Sequence, residues 1–292
     1  MLRRAPGGPA APRPPGAAEP LDAAQVGRWR EQFSNRGRWG ADDRRGALNL
    51  ITRDRVLAAC ALPRSGRAIA CALAEGERAG VPAGALGLHP PQAPRRAEDP
   101  DPGGPDAAAP PLPEGTRWDA RLQRGEPGAD AVVGRGVLLD LPRLLRVPWL
   151  EEGRPIRPEE LDACAERSGV AIEAGDVLLV RTGRLARALR ERSFEGYAGG
   201  AAPGLSVLCA RWLFEREIAA VASDTACLEV VPSEVPGVPL PLHRIALGST
   251  GLLFGEIFQL DALAEACARD GRYAFLFVAP LLPTPIHPLA LK

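Results

Sequence analysis

Residues 114–123 read EGTRWDARLQ and have the frame of a metal site, a Gly-Thr pair followed by Trp118 and the carboxylate of Asp119, yet no imidazole stands in or beside the run. The chain has only three histidines, His89, His243 and His287. A neutral imidazole hydrogen-bonds readily at loop edges, so the default role of each is structural. His243 has one further feature, the carboxylate of Glu256 thirteen positions on. A continuous helix would turn these two residues to different faces, but Gly248, Gly251 and Gly255 break such a helix and can fold Glu256 back toward His243. Arg117 lies two residues before Asp119; in an extended segment the two share one face, where the plain outcome is an Arg-Asp ion pair with Trp118 on the opposite, core side.

Two other chemistries are set aside. Gly248-Ser-Thr-Gly251 followed by Gly255 resembles a phosphate-cradling loop, but that fingerprint needs a strand before it, and Pro239, Pro241 and Leu242 read as loop. No Gly-x-Ser-x-Gly elbow occurs, and Ser223 beside Asp224 has no histidine nearby in sequence. Both stretches are read as ordinary turns.

The elements that must position these residues alternate in type. Thr52 caps a helix running to about Ala61, Pro158 opens one through Arg167, Pro203-Gly204 precede one from Leu205 to Arg216, and Leu260 to Ala268 form another, stopped at Gly271. Between them lie apolar runs of strand type: Val132 to Leu141, Asp176 to Thr182, Ile218 to Asp224 and Ala274 to Ala279. The pattern predicts an α/β fold with a largely buried sheet. Residues 1–20 are Pro, Gly and Ala with little to bury and are expected to form a disordered tail; residues 21–292 form one domain, interrupted by a Pro/Gly-rich excursion at about 76–113.

The 292-residue chain is 46% hydrophobic, enough for a sizeable core, and its 36 basic and 36 acidic residues cancel. A balanced charge offers no field for nucleic acid or an anionic membrane surface. Lys292 is the only lysine; abundant Arg, Ala, Gly and Pro point to GC-rich coding, so pairs such as Arg95-Arg96 carry little functional weight. Six scattered cysteines without a Cys-x-x-Cys pair read as reduced core thiols, and the apolar-poor start predicts neither a signal peptide nor a membrane helix. A cytoplasmic location is therefore expected.

Several stretches in order resemble the cyclase family, the metal-dependent hydrolases that include bacterial kynurenine formamidases. They are Arg38-Trp-Gly-Ala-Asp-Asp43, Gly46-Ala-Leu-Asn-Leu-Ile-Thr52, Val133-Gly-Arg-Gly-Val-Leu-Leu-Asp140, Gly175-Asp-Val-Leu-Leu-Val-Arg-Thr-Gly183, Ser223-Asp-Thr225 with Glu229-Val-Val-Pro232, and Gly271-Arg-Tyr-Ala-Phe-Leu-Phe-Val-Ala279. The resemblance implies a swivelling β/β/α domain, a mixed sheet surrounded by helices, usually assembled as a homo-oligomer. It also implies a divalent ion, zinc or manganese, held by an HxGTHxDxxxH motif plus a later histidine and glutamate, and a small-molecule substrate. Bound water then loses its proton near neutral pH and attacks a formamide, amide or lactone carbonyl.

On this chain the motif's histidines fall on Pro113, Arg117 and Gln123, the last being the family's acid/base position; Asp119, His243 and Glu256 remain as the implied ligands. A branch of the family with GEIF-like and TxWD-like segments already replaces the first two histidines, and this chain resembles it with a further departure. The wall between Asp119 and Val133 and the stretch Leu282-Pro-Thr-Pro-Ile286 are both shortened. Three outcomes follow: a hydrolase using the three remaining ligands; a metal-free remnant in which the Arg117 cation replaces the metal charge beside Asp119 and Glu256; or an interaction subunit in which the retained segments are all core.

Overall fold

The structure, a computed structural model, describes residues 21–41, 43, 45–73, 117–119, 131–280 and 288–292, with 117–119 described by backbone alone. The expected tail, the 76–113 excursion, Gln123, His89, His287 and the 282–286 stretch lie outside the described residues.

In chain order come α1 (Ala23–Gln32), a 3₁₀ turn (Gly46–Leu50), α2 (Arg53–Cys60), β1 (Ala68–Ala70), β2 (Arg117–Asp119), β3 (Ala131–Asp140), α3 (Leu141–Leu145) and β4 (Pro155–Ile156). They are followed by α4 (Pro158–Arg167), β5 (Val177–Arg181), α5 (Arg184–Glu191), β6 (Gly204–Leu205), α6 (Cys209–Glu215), β7 (Ala220–Ser223) and α7 (Pro241–Ile245). A π-helical turn (Ala246–Thr250), β8 (Leu253–Glu256), α8 (Asp261–Asp270), β9 (Ala274–Pro280) and β10 (Leu289–Leu291) complete the set.

Among the described residues one eight-stranded sheet has the order β1-β10-β9-β3-β5-β7-β8-β2, and β4 pairs β6 separately. The run β3-β5-β7-β8 is parallel, and antiparallel pairs flank it on both sides. Parallel strands buried on both faces need continuous apolar runs, which is what Val137 to Leu139, Val177 to Val180 and Ala220 to Ala222 supply. The result is an α/β fold with a largely buried sheet, as the alternation of elements predicts, and the sheet is mixed and surrounded by helices, as the resemblance implies. The main core packs both sides of this sheet; a smaller apolar cluster joins Leu73, Leu185, Ala188, Phe194, Tyr197 and Ile257, beside the carboxyl end of β8.

Local caps account for the helices that agree with expectation. The Thr52 side chain accepts from Arg55 N at 3.4 Å, and Gly271 closes α8 with φ 67. Two expectations are corrected. The helix expected from Leu205 begins only at Cys209, because Gly204–Leu205 pair in parallel with Pro155–Ile156. The stretch around Pro241, expected as loop, is α7, where proline occupies the first turn that lacks an amide partner in any case. Of the cysteines, Cys71, Cys164, Cys209 and Cys267 are buried, and burial pushes the Cys71 and Cys164 thiols up to about 12; Cys227 is half-buried, while Cys60, against expectation, is exposed on α2. No helix among the described residues is long and apolar enough to cross a membrane.

Candidate functional site

The chain between His243 and Glu256 folds back on itself. Leu240, left-handed at φ 49, opens α7; the helix widens into the π-helical turn, and Gly251, left-handed at φ 67, ends it. Gly251 can turn there because the chain packs on Gly46, where a Cβ would stand 2.6 Å from the Gly251 oxygen, and Ala47 N donates to that oxygen at 3.0 Å. β8 then runs back beneath α7. His243 Nε2 and Glu256 Oε1 thus meet at 3.4 Å; of the three glycines expected to break the helix, Gly251 alone does so. Such π-turns recur at functional sites because they re-aim side chains that a regular helix would point elsewhere.

Three side chains form the site's centre, each nearly excluded from solvent: Glu229 (1% exposed), Glu256 (2%) and His243 (8%). Nδ1 of His243 hydrogen-bonds Glu229 Oε1. A carboxylate only accepts, so Nδ1 carries the hydrogen. Glu229 also accepts from the amides of Leu242 at 2.9 Å and His243 at 3.2 Å, which fixes the first turn of α7. Phe254 meets the imidazole edge-on, with centroids 4.8 Å apart and planes at 87°. Burial by itself would lower the imidazole pKa; the charge and hydrogen bond of Glu229, joined by those of Glu256, override it and raise it from 6.5 to about 10. Without a competing cation the ring holds both protons at neutral pH.

Phe254 and Glu256, two apart on β8, share the face that His243 covers. β2 pairs antiparallel with β8 so that Arg117 stands opposite Glu256, Trp118 opposite Gly255 and Asp119 opposite Phe254. The segment is therefore extended, as the shared-face argument requires, and residues 117 and 119 take register positions on that same face. Of the sequence-derived ligands, His243 and Glu256 are brought together, Asp119 is placed by register alone, and Gln123 lies outside the described residues.

A metal fits this centre in part. Two donors on one tetrahedral ion, each bonded at roughly 2.0–2.1 Å, lie about 3.3–3.5 Å apart, and the Nε2 to Oε1 spacing is 3.4 Å. An imidazole whose other nitrogen is held by a carboxylate is the usual arrangement of a metal-ligating histidine. Among the described residues no group of three His, Cys, Asp or Glu is placed to hold a metal ion, Glu229 being engaged at Nδ1, so a third protein ligand has to come from outside the three central side chains, with residue 119 in register. Because a metal and a proton compete for Nε2, binding at neutral pH releases a proton.

Glu229 escapes sequence reasoning as an individual residue. Its partner is fourteen positions away and no local periodicity joins them. Another buried carboxylate, Asp224, follows β7; it accepts from Thr182 N, Thr182 Oγ1 and Gly183 N, each at 2.7 Å. Ser223 Oγ lies 3.4 Å from the same carboxylate, so the Ser223-Asp224 pair is part of the join between strands.

Residues 110–230 match the family model described as "Putative cyclase". A crystal structure described as a novel cyclase shares 28% identity, with 89% of this chain and 100% of that one covered at a TM-score of 0.68. Isatin hydrolase A from Ralstonia solanacearum is a weaker likeness, at 19% identity, 60% and 70% coverage and a TM-score of 0.46. A structure described as a potential metal-dependent hydrolase with cyclase activity stands at 18%, 55% and 63%, and 0.34. These two weaker likenesses say nothing of this chain's chemistry. No curated protein matches the chain significantly. The family model matches residues 110 to 230 and the cyclase architecture is shared over most of the chain's length, so the chain is similar to the cyclase family in fold and in part of its sequence.

Proposed function

We propose that the chain is a metal-dependent hydrolase of small carbonyl compounds, acting on a formamide, amide or lactone in the manner of an arylformamidase. The observation that supports it is the meeting of His243 Nε2 with Glu256 Oε1 at 3.4 Å while Glu229 holds Nδ1. His243 and Glu256 would hold one zinc or manganese ion, with Asp119 as the third ligand. When bound, such an ion supplies a Lewis acid that polarises the carbonyl and brings the pKa of water near neutrality. Glu229 keeps the imidazole oriented, and Phe254 walls off one side of the ring from water. Gln123, which the resemblance sets at the acid/base position, cannot take up a proton near neutral pH, which forgoes the roughly 10²- to 10⁴-fold contribution of general acid-base catalysis. The reading therefore favours easily cleaved acyl groups, an aryl formamide or a strained lactone. As the family resemblance implies, the working form is a homo-oligomer.

One observation favours a second reading. Arg117 takes the register position opposite Glu256, where a permanent cation could stand in for the metal charge. The domain would then be a metal-free remnant that binds a small molecule or supports an assembly.

The two separate in one assay. The purified protein, stripped of metal, is offered an N-formyl arylamine and an aromatic lactone before and after addition of zinc or manganese. Hydrolysis should appear only after addition and fall at least about 100-fold in Glu256→Gln, within the range seen on removing a group that acts in the transition state. Hydrolysis that needs no added metal and survives Glu256→Gln contradicts the proposal; complete inactivity in both conditions favours the second reading.

A further inference from the structure

Glu229 is built into the fold with more care than a helix cap requires. Leu228 before it is left-handed at φ 52, a conformation leucine rarely adopts, and Leu228 N donates to Thr225 Oγ1 at 3.0 Å. On the other side, isolated bridges join Leu205 to Glu229 and Ala202 to Val231. Gly204 allows the approach, since a Cβ there would stand 2.4 Å from the Glu229 carbonyl carbon and 2.5 Å from its oxygen. The backbone of residues 228–231 is thus gripped by β6 and its flank, and the buried carboxylate is delivered to one place.

Both of its oxygens are used there. Oε2 accepts from Leu242 N, and Oε1 takes both the amide and Nδ1 of His243. Capping α7 needs only the two amides. The contact with Nδ1 is additional, and it decides the orientation of the ring, because a ring rotated by half a turn would present carbon to Glu229 and withdraw Nε2 from Glu256. We propose that Glu229 is the positioning residue of this site: it couples the start of α7 to the orientation of the His243 ring, so that Nε2 faces Glu256. The metal consequence of this inference rests on the function proposed above; the positioning itself does not.

The test uses Glu229→Gln, which keeps the volume but cannot accept on both former oxygens, and Glu229→Asp, which keeps the charge. Cooperative melting identifies folded variants, and Glu229→Ala serves as a further variant if Gln fails to fold. In the metal-free protein the Nδ1 proton of His243, one of three histidines, is followed by ¹⁵N-¹H spectroscopy. Wild type should show a downfield, slowly exchanging Nδ1 proton; Glu229→Gln should shift it upfield and speed its exchange, and Asp should restore part of the signal. Cobalt(II) titration followed by visible absorbance should show a 10- to 100-fold loss of affinity in Gln, about the loss seen when such outer partners are removed, with partial recovery in Asp. An unchanged Nδ1 signal, or unchanged cobalt affinity, in a folded Glu229→Gln overturns the inference. If wild type binds no cobalt, the metal reading falls and the Nδ1 spectrum alone judges Glu229.

Discussion

Asp224→Ala is expected to lower the free energy of unfolding by about 3–5 kcal/mol, the largest stability loss among single changes at the site. The carboxylate is fully buried and receives three donors at 2.7 Å from Thr182 and Gly183, so it staples the end of β5 to the end of β7. Alanine leaves two buried amides and a hydroxyl without that acceptor, and each buried unsatisfied donor costs on the order of 1–3 kcal/mol. Burial, working against Arg181 and the Thr182 hydrogen bonds, pushes the Asp224 carboxyl up to about 6. A carboxyl raised above its unfolded value holds its proton longer in the native state, so its contribution falls as pH climbs from about 4 to 6. Urea denaturation of wild type, Asp224→Asn and Asp224→Ala at pH 7 should rank them in that order of stability. An alanine variant within 1 kcal/mol of wild type would show that the staple is not needed.

His243→Gln is expected to cost roughly 2–4 kcal/mol in the metal-free protein near pH 7, because the buried carboxylates of Glu229 and Glu256 lose the cation between them. The sign of the pH dependence gives an independent check. Glu229 and Glu256 raise the imidazole from 6.5 to about 10 against the opposing effect of burial. A histidine raised in the folded state contributes stability fully below its unfolded pKa and loses it as pH rises through the folded one. Wild type should therefore lose stability between about pH 6.5 and 10, and His243→Gln should be flatter over that window. Parallel curves would mean that the ring is not held as an imidazolium.

Much of the fold is legible in the sequence where structure is local. Thr52 at its cap, Pro158 at the start of its helix and Gly271 at the end of α8 locate three helices closely, and the apolar runs that become β3, β5, β7 and β9 locate four strands to within two residues. What escapes is set by distant partners. Gly204–Leu205 become a strand through Pro155–Ile156, far back in the chain, and α7 owes its first turn to a carboxylate supplied by Glu229. The short α7 has no room for a periodic pattern to declare itself. The helix Arg184–Glu191 has no side-chain cap hydrogen bond to announce it; Gly183, left-handed at φ 80, opens it instead.

The candidate site divides in the same way. Of the glycines at 248, 251 and 255 only Gly251, left-handed at φ 67, makes the fold-back that joins His243 to Glu256, since Gly248 lies within the π-helical turn and Gly255 within β8; the extended character assumed for Arg117 to Asp119 agrees with β2. Glu229 stands in the chain as one acid among 36 acidic residues, and only the fold shows that it grips the imidazole. The alternation of residues 117 and 119 places them on a common face, but only the β2-β8 register brings position 117 opposite Glu256.

The most direct test is metal content. Wild-type protein, loaded with zinc at pH 7.5 and dialysed exhaustively, is predicted to keep about one ion per chain, as a three-ligand site would, and His243→Gln and Glu256→Gln, if still folded, should keep almost none. A wild type that retains no zinc, or folded variants that retain as much as wild type, would contradict the assignment of His243 and Glu256 as metal ligands.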